Sequence, residues 1–417
     1  MESNQDIFDI AVLGAGAAGA MAAIRAAGLS KRTVLIERNN VIGKKIMLTG
    51  NGRCNITNTA GIEKFIEAFE NQGRFLRTAF WAFSNHDLIK FFEANGIAMK
   101  VEEQGRVFPA VGGANSIVKV LGRCLAKNKV TLLRGTRLID IKKVNGFFQL
   151  SMADKTKIKA QKVILATGGA SYKNTGSSGD GFCWAKKLGH SVTPLKPALV
   201  PLKVKETWIK HLQGLCLSQS CISFFSGKKI VSDKGGIIFT HFGLSGPLIL
   251  DLSARIVSAF NERGEIPLFI DLEPDSNPEQ IKNKLLKEFN AAEKSQLKTI
   301  MKKILQQRLV PVFLSIAGVA ADKIVSQISR QERHKIISSL KALPLTIIGS
   351  LPIEEAMVTN GGVSLKEINP RTMESKIIAG LYFAGEIIDT CAKSGGYNLQ
   401  QAFSTGYLAG QSAAQDY

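Results

Sequence analysis

The six cysteines of this 417-residue chain, Cys54, Cys124, Cys183, Cys216, Cys221 and Cys391, never form a C-x-x-C pair. That absence removes a dithiol redox centre and a zinc site, and scattered thiols fit a reducing compartment. Long hydrophobic runs are missing too: the apolar stretches 10–24 and 309–321 fall short of the ~20 residues that a membrane span needs. The opening Met1 to Asp6 is polar and acidic, without the basic start of a secretory signal. These absences lead us to expect a soluble, cytoplasmic protein with no membrane partner. The sequence contains no internal repeat, low-complexity tract, Ser-His-Asp set or metal-ligand cluster.

Acidic residues are scarce, 34 Asp+Glu against 54 Lys+Arg, for a net charge of +20. A positive field of that size attracts phosphate-rich partners. Between Ser276 and Pro344 there are 13 Lys+Arg and 5 Asp+Glu, 13 − 5 = +8. Lys282, Lys284, Lys287, Lys298, Lys302, Lys303 and Arg308 fall on helical patterns whose apolar positions face inward, which leaves the cations outward. The segment is a candidate contact for structured RNA; a solvated face that only keeps the chain soluble is the other reading.

Composition is otherwise ordinary, 45% hydrophobic and 21% charged, and the length exceeds one usual core, so two or three packed units are expected. Much of the glycine, 39 residues, sits in short clusters that suit tight turns and close backbone approach to a ligand. Phe8 to Leu13 reads as a strand, Ala17 to Gly28 as an alanine-rich helix and Thr33 to Glu37 as a strand, a βαβ unit. Lys162 to Gly169 reads as another buried strand and Gly181 to Leu188 as a helix. From Ser191 to about Asp271 short strands dominate (Cys221 to Phe225, Gly236 to Thr240, Pro267 to Leu272), as in an antiparallel sheet or small barrel. From Asn277 to Leu343 the period turns helical. Leu381 to Gly385 and Asn398 to Gly410 then read as a strand and a helix of the first unit. The expected fold is α/β, a Rossmann-type domain (1–190 and 346–417) interrupted by a β-rich substrate domain (191–275) with a helical subdomain (276–345).

Gly14-Ala-Gly16-Ala-Ala-Gly19 has G-x-G-x-x-G spacing between that first strand and helix. Gly14 permits the turn, Gly16 admits a pyrophosphate, and Gly19 lets helix and strand pack closely. The first N–H groups of the helix, at Ala17 and Ala18, hold the phosphates. Glu37 ends the second strand, 18 residues after Gly19, where a carboxylate can bind a ribose diol. The motif alone does not separate FAD from NAD.

Gly43-Lys-Lys-Ile-Met-Leu-Thr-Gly-Asn-Gly-Arg-Cys-Asn-Ile-Thr-Asn58 closely resembles the second signature of the aminoacetone-oxidase-type flavoproteins, a bacterial family that also includes bile-acid reductases. Further matches follow in order: Gly105-Arg-Val-Phe-Pro109, Ala166-Thr-Gly-Gly169, Thr175-Gly-Ser-Ser-Gly-Asp-Gly181 and Phe239-Thr-His-Phe-Gly-Leu-Ser-Gly-Pro247. Thr359-Asn-Gly-Gly-Val363, Gly380-Leu-Tyr-Phe-Ala-Gly-Glu386 and Gly395-Gly-Tyr-Asn-Leu-Gln400 complete the series. The resemblance implies FAD, held by the fingerprint with Glu37, Arg38, Lys45, Gly52, Arg53, Cys54, Asn55, Thr167, Gly168, Gly385, Glu386 and Asp389. It extends to Gly396, Tyr397, Asn398 and Leu399, where a helix start would stabilise negative charge on the flavin. One departure stands out: where the family pattern has a glycine and a large aromatic before the Gly-Gly pair, this chain has Ala392 and Lys393.

Flavin supplies hydride chemistry at N5 while the protein positions and polarises. With no second G-x-G-x-x-G in the sequence, either NAD(P)H visits transiently or the substrate reduces the flavin and oxygen reoxidises it. Lys393, Tyr397 and His241 are the candidate catalytic residues. The function classes are an oxidoreductase for a small amine, ketone or activated C=C bond, an enzyme reducing uridine to dihydrouridine in ribosomal RNA, and a flavin-containing RNA-binding protein without turnover.

Overall fold

A computed structural model describes residues 7–415; the acidic start, Met1 to Asp6, lies outside them. The chain forms two compact units, Met1–Ala198 with Ile353–Tyr417, and Leu199–Pro352. The crossings thus fall a few residues beyond the expected positions 190 and 345.

In the first unit, five strands run parallel in the order Thr131–Leu133, Thr33–Ile36, Ile7–Leu13, Lys157–Leu165, Leu381–Phe383. Lys157–Leu165 serves two neighbours along one edge. Its first half pairs antiparallel with Phe147–Met152, and its last residues pair parallel with Leu381–Phe383. Ile10 to Leu13, Val34 to Ile36 and Val163 to Leu165 are buried, as expected of parallel strands covered on both faces. This is the Rossmann-type α/β arrangement, and the C-terminal segment supplies one of its strands.

The helix Ala17–Gly28 lies against the last helix, Tyr397–Ala414. Their approach is closer than side chains permit. A Cβ on Gly406 would meet the Ala18 carbonyl oxygen at 2.2 Å, and one on Gly410 the Ala22 carbonyl oxygen at 2.3 Å. The alanine composition of the first helix and the i, i+4 glycines of the last are therefore one packing solution.

The second unit is an antiparallel sheet that closes on itself. Cys216–Ser226 pairs with Gly235–Phe239 on one side and Ile266–Asp271 on the other, and the ring continues through Gly243–Ser245, Leu202–Val204 and Leu343–Ser350. The small-barrel expectation describes it, with one omission. Pro247–Arg263 is a helix, which the reading of this stretch as strands and turns passed over. Its signals were present: Pro247 at the first helical position, Gly264 just past the end, and buried Ile249, Ser253, Ile256 and Val257 at helical spacing. The helices Pro278–Ala291, Leu297–Met301, Leu309–Ala317 and Arg330–Lys341 follow within the same unit.

Gly406→Ala should destabilise the protein by about 1–3 kcal/mol through overpacking. Gly122→Ala, inside the helix Gly113–Lys127 with only an ordinary 3.7 Å contact to Ile42, should stabilise it by roughly 0.5–1 kcal/mol. Urea unfolding of both variants checks the opposite signs; a neutral Gly406→Ala would contradict the close helix contact.

Candidate functional site

A cleft of about 1340 Å³, solvent at its mouth included, opens in the first unit where the strand ends meet the starts of two helices. Ala17 and Ala18 line it from one helix, Asn398 and Leu399 from the other. Neither helix has a side-chain N-cap, and neither has an acid in its first turn. First-turn N–H groups without a capping partner are left for an anion, and the helix dipole adds to their pull.

The glycines divide the work by position. Gly14 has φ +97°, and a Cβ there would lie 2.6 Å from the Ala166 carbonyl oxygen. A Cβ on Gly19 would sit 1.8 Å from the Gly14 carbonyl oxygen. A Cβ on Gly16 would meet nothing within 4 Å, because Gly16 borders the open cleft. The chain therefore has no need of its own for glycine at position 16, whereas a pyrophosphate lying there does.

Glu37 is buried, and its carboxylate braces this turn. Oε2 accepts from the Ala15 N–H at 2.8 Å, and Oε1 accepts from the Asn39 N–H at 2.8 Å and the Asn39 amide at 2.7 Å. Oε2 retains acceptor capacity for a ribose hydroxyl. Arg38 donates to Ser178 Oγ at 2.5 Å and to Asp180 at 3.2 Å, and Arg137 reaches the same carboxylate at 3.4 Å. These groups line the cleft with residues 175–178 of the quoted glycine-serine motif. Arg137 carried no signal in the sequence.

Also in the lining, Lys45 Nζ donates to Glu386 Oε2 at 2.6 Å and to Ser171 Oγ at 2.7 Å. Glu386 Oε1 accepts from the Thr359 N–H at 2.8 Å and the Ser171 hydroxyl at 2.9 Å. Burial alone would raise the Glu386 carboxyl, but Lys45 and these hydrogen bonds outweigh it and hold the group below the ordinary glutamate value. Thr167 and Thr390 also line the cleft, and each keeps a buried hydroxyl oxygen without a hydrogen-bond partner. Two orphaned hydroxyls, two uncapped helix starts and the space at Gly16 fit a bound dinucleotide.

The cleft thus gathers Gly14, Gly16, Ala17, Ala18, Glu37, Arg38, Lys45, Thr167, Gly168, Gly385, Glu386, Asn398 and Leu399. Other expected ligands lie elsewhere among the described residues. Gly52, Arg53, Cys54 and Asn55 are not in its lining. Arg53 stacks on Phe108 and pairs with Glu102, and burial pushes the Cys54 thiol up to about 12, which suits packing rather than reactivity. The neighbouring Thr57 lies behind Gly396, whose φ is +96° and whose Cβ would sit 2.3 Å from the Thr57 carbonyl oxygen. This signature supports the second helix start from behind. Asp389, half-buried, accepts from Gln72 at 3.3 Å, and burial raises its carboxyl.

Two of the catalytic candidates, Lys393 and Tyr397, are neighbours. The Tyr397 ring is buried in an apolar cluster, 4.9 Å edge-on to Phe65. Lys393 is exposed, with its ammonium 5.9 Å from that tyrosine ring centroid, on the loop between the cleft residues Thr390 and Asn398. His241 is exposed on the second unit, against Phe242.

Comparison with known proteins gives a consistent family. The profile of the HI0933-like protein Rossmann domain matches residues 8–412. A 3-dehydro-bile acid delta(4,6)-reductase of Clostridium scindens is 31% identical, over 97% of this chain and 99% of its own. A ribosomal RNA dihydrouridine synthase of Haemophilus influenzae is also 31% identical, over 97% and 98%. Among solved structures, a 3-ketosteroid delta1-dehydrogenase from Sterolibacterium denitrificans superposes with a TM-score of 0.55 at 11% identity, covering 98% of this chain and 99% of that one. That last likeness concerns the fold.

Gly16→Val should leave the unfolding midpoint of the cofactor-free chain nearly unchanged while abolishing the yellow colour, and heat-released cofactor from the unaltered protein should be FAD. Full FAD content in Gly16→Val would contradict the pyrophosphate position. The depressed Glu386 carboxyl contributes stability that is complete above its unfolded value, near 4.5, and is lost as pH falls through the folded value. Lys45→Met should cost roughly 2–3 kcal/mol near neutral pH, under the ~3–5 kcal/mol of a fully buried pair. It should also flatten the acid dependence, as read from urea midpoints between neutral and acidic pH.

Proposed function

The chain belongs to the HI0933-like family of Rossmann-domain FAD-binding oxidoreductases, and on that premise we propose that it reduces a C=C bond conjugated to a carbonyl group. Bound in the cleft, FAD supplies two-electron hydride transfer through N5. The carrying observation is the pyrophosphate cradle joined to a second uncapped helix start, which is built to hold such a cofactor and favours negative charge at its far end.

The relatives' names support the bond type. A 3-dehydro delta(4,6) bile acid has C=C bonds in conjugation with a ketone, and uridine reduced to dihydrouridine has one conjugated to a ring carbonyl. In either case a hydride adds to the carbon remote from the carbonyl and a proton to the nearer carbon. NAD(P)H is the proposed source of the hydride and becomes NAD(P)+; the proton comes from solvent. The described residues supply no second G-x-G-x-x-G turn, so the nicotinamide would visit transiently. Glu37, Arg38 and the first helix hold the adenosine and phosphate end, Lys45 and Glu386 order the middle, and Asn398 and Leu399 face the ring end. Lys393, exposed beside that end, is a cation available to an anionic substrate.

A small organic substrate is the first reading. Uridine within ribosomal RNA is the second, favoured by the excess of Lys and Arg in the helices of the second unit.

Anaerobic mixing of the purified protein with NADH and NADPH should bleach the flavin absorbance, and an enone acid or a uridine-containing RNA should restore it with stoichiometric loss of the C=C bond. If neither nicotinamide bleaches the flavin, or only dioxygen restores it, the reductase reading is wrong.

A further inference from the structure

Charge in the second unit is segregated. Residues 199–275 hold 8 Lys+Arg and 8 Asp+Glu, 8 − 8 = 0, while residues 276–344 hold 13 and 5, 13 − 5 = +8. Ile281, Leu285 and Phe289 of the helix Pro278–Ala291, and Leu297, Ile300 and Met301 of the next, are buried, so the lysines between them face outward.

The two helices share one lysine face. Lys303 pairs with Glu288 at 2.6 Å across them, and Lys303, Lys287 and Lys284 together hold that carboxyl below its ordinary value. Lys282 and Lys284 also have partners, Glu279 and Glu273. Lys287, Lys294, Lys298 and Lys302 are exposed and make no ion pair among the described residues. Lys298 and Lys302 stand one helical turn apart, as do Lys284 and Lys287, spacings at which like charges repel and weaken a helix. An acid at any of these sites would relieve the repulsion.

What the face lacks narrows its partner. Between 276 and 344 no large hydrophobic side chain is exposed, and the two Phe residues there, Phe289 and Phe313, are buried. The four lysines at 287, 294, 298 and 302 offer no ring for splayed bases to stack on. Without apolar side chains there is nothing to enter a bilayer. Cations alone remain, and they suit a regular array of phosphates.

We propose that the face carrying Lys287, Lys294, Lys298 and Lys302 is a sequence-independent docking surface for the phosphate backbone of double-helical RNA. It deepens the RNA reading of the proposed function and rests on it. Duplex RNA offers its phosphates and sugar hydroxyls while its bases stay stacked, the form of RNA that such a face can grip.

The test compares the full protein, loaded with FAD, and its Lys287→Glu/Lys294→Glu/Lys298→Glu/Lys302→Glu variant. The probes are a fully paired RNA hairpin, an unstructured oligouridylate and phosphatidylserine vesicles, each across a salt series. With four phosphates neutralised, hairpin affinity should fall about 100-fold between roughly 50 and 200 mM salt, and the variant should lose most of both affinity and salt slope. Two hairpins of unrelated sequence should bind equally. Equal binding by protein and variant, an affinity indifferent to salt, tighter binding of oligouridylate than of hairpin, or capture by vesicles in place of RNA would each overturn the proposal. Unfolding midpoint, FAD content and flavin reduction by NAD(P)H should be the same in both proteins. Hairpin binding that persists when no donor reduces the flavin would defeat the reductase reading and leave the docking surface standing.

Discussion

Backbone must touch backbone at the junction of the first strand and first helix, and the rest of the first unit is arranged around that contact. The Gly14 carbonyl leaves no room for a side chain at Gly19, and the Ala166 carbonyl leaves none at Gly14. The same constraint spreads outward. The helix held this close by Gly19 must itself be thin, so it is alanine-rich, and the last helix meets it with Gly406 and Gly410. Two helix starts are thereby brought to one cleft by packing alone, and their dipoles act there together.

Lys45 and Glu386 play the complementary part. They come from opposite ends of the chain, and their ion pair, with Ser171 and Thr359, ties four segments together beside the cleft. A paired cation contributes little net charge to the cleft, so the attraction for phosphate stays with the backbone. Its effect is organisational: the segment after the second strand is held to the segment before the last helix. A pair like this stabilises mainly because losing one partner strands the other.

The second unit follows a different rule. Six of its strands close into a ring, with Lys228–Val231 paired outside it along Cys216–Ser226, and residues 276–344 carry all of the unit's net charge. Charge in this unit is thus segregated by segment, neutral over 199–275 and +8 over 276–344.

The sequence by itself determined the βαβ fingerprint, the helix bounds Ala17–Gly28, the late strand at Leu381 to Gly385 and the cationic character of 276–344. Each follows from local rules: glycine spacing, hydrophobic period and charge count act over a few residues and need no partner. Pro247–Arg263 was equally legible from its proline and glycine, and was passed over because short strands surround it. Tertiary structure alone decided which motif residues reach the cleft. Gly52 to Asn55 and Gly43 to Ile46 belong to one signature, yet only the second group lines it. Arg137, Thr390 and Trp184 line it with no local signal of their own, and Tyr397, named for catalysis, fills an apolar cluster. A side chain's neighbours are set by contacts hundreds of positions apart, such as Lys45 with Glu386, and no periodicity along the chain encodes that distance.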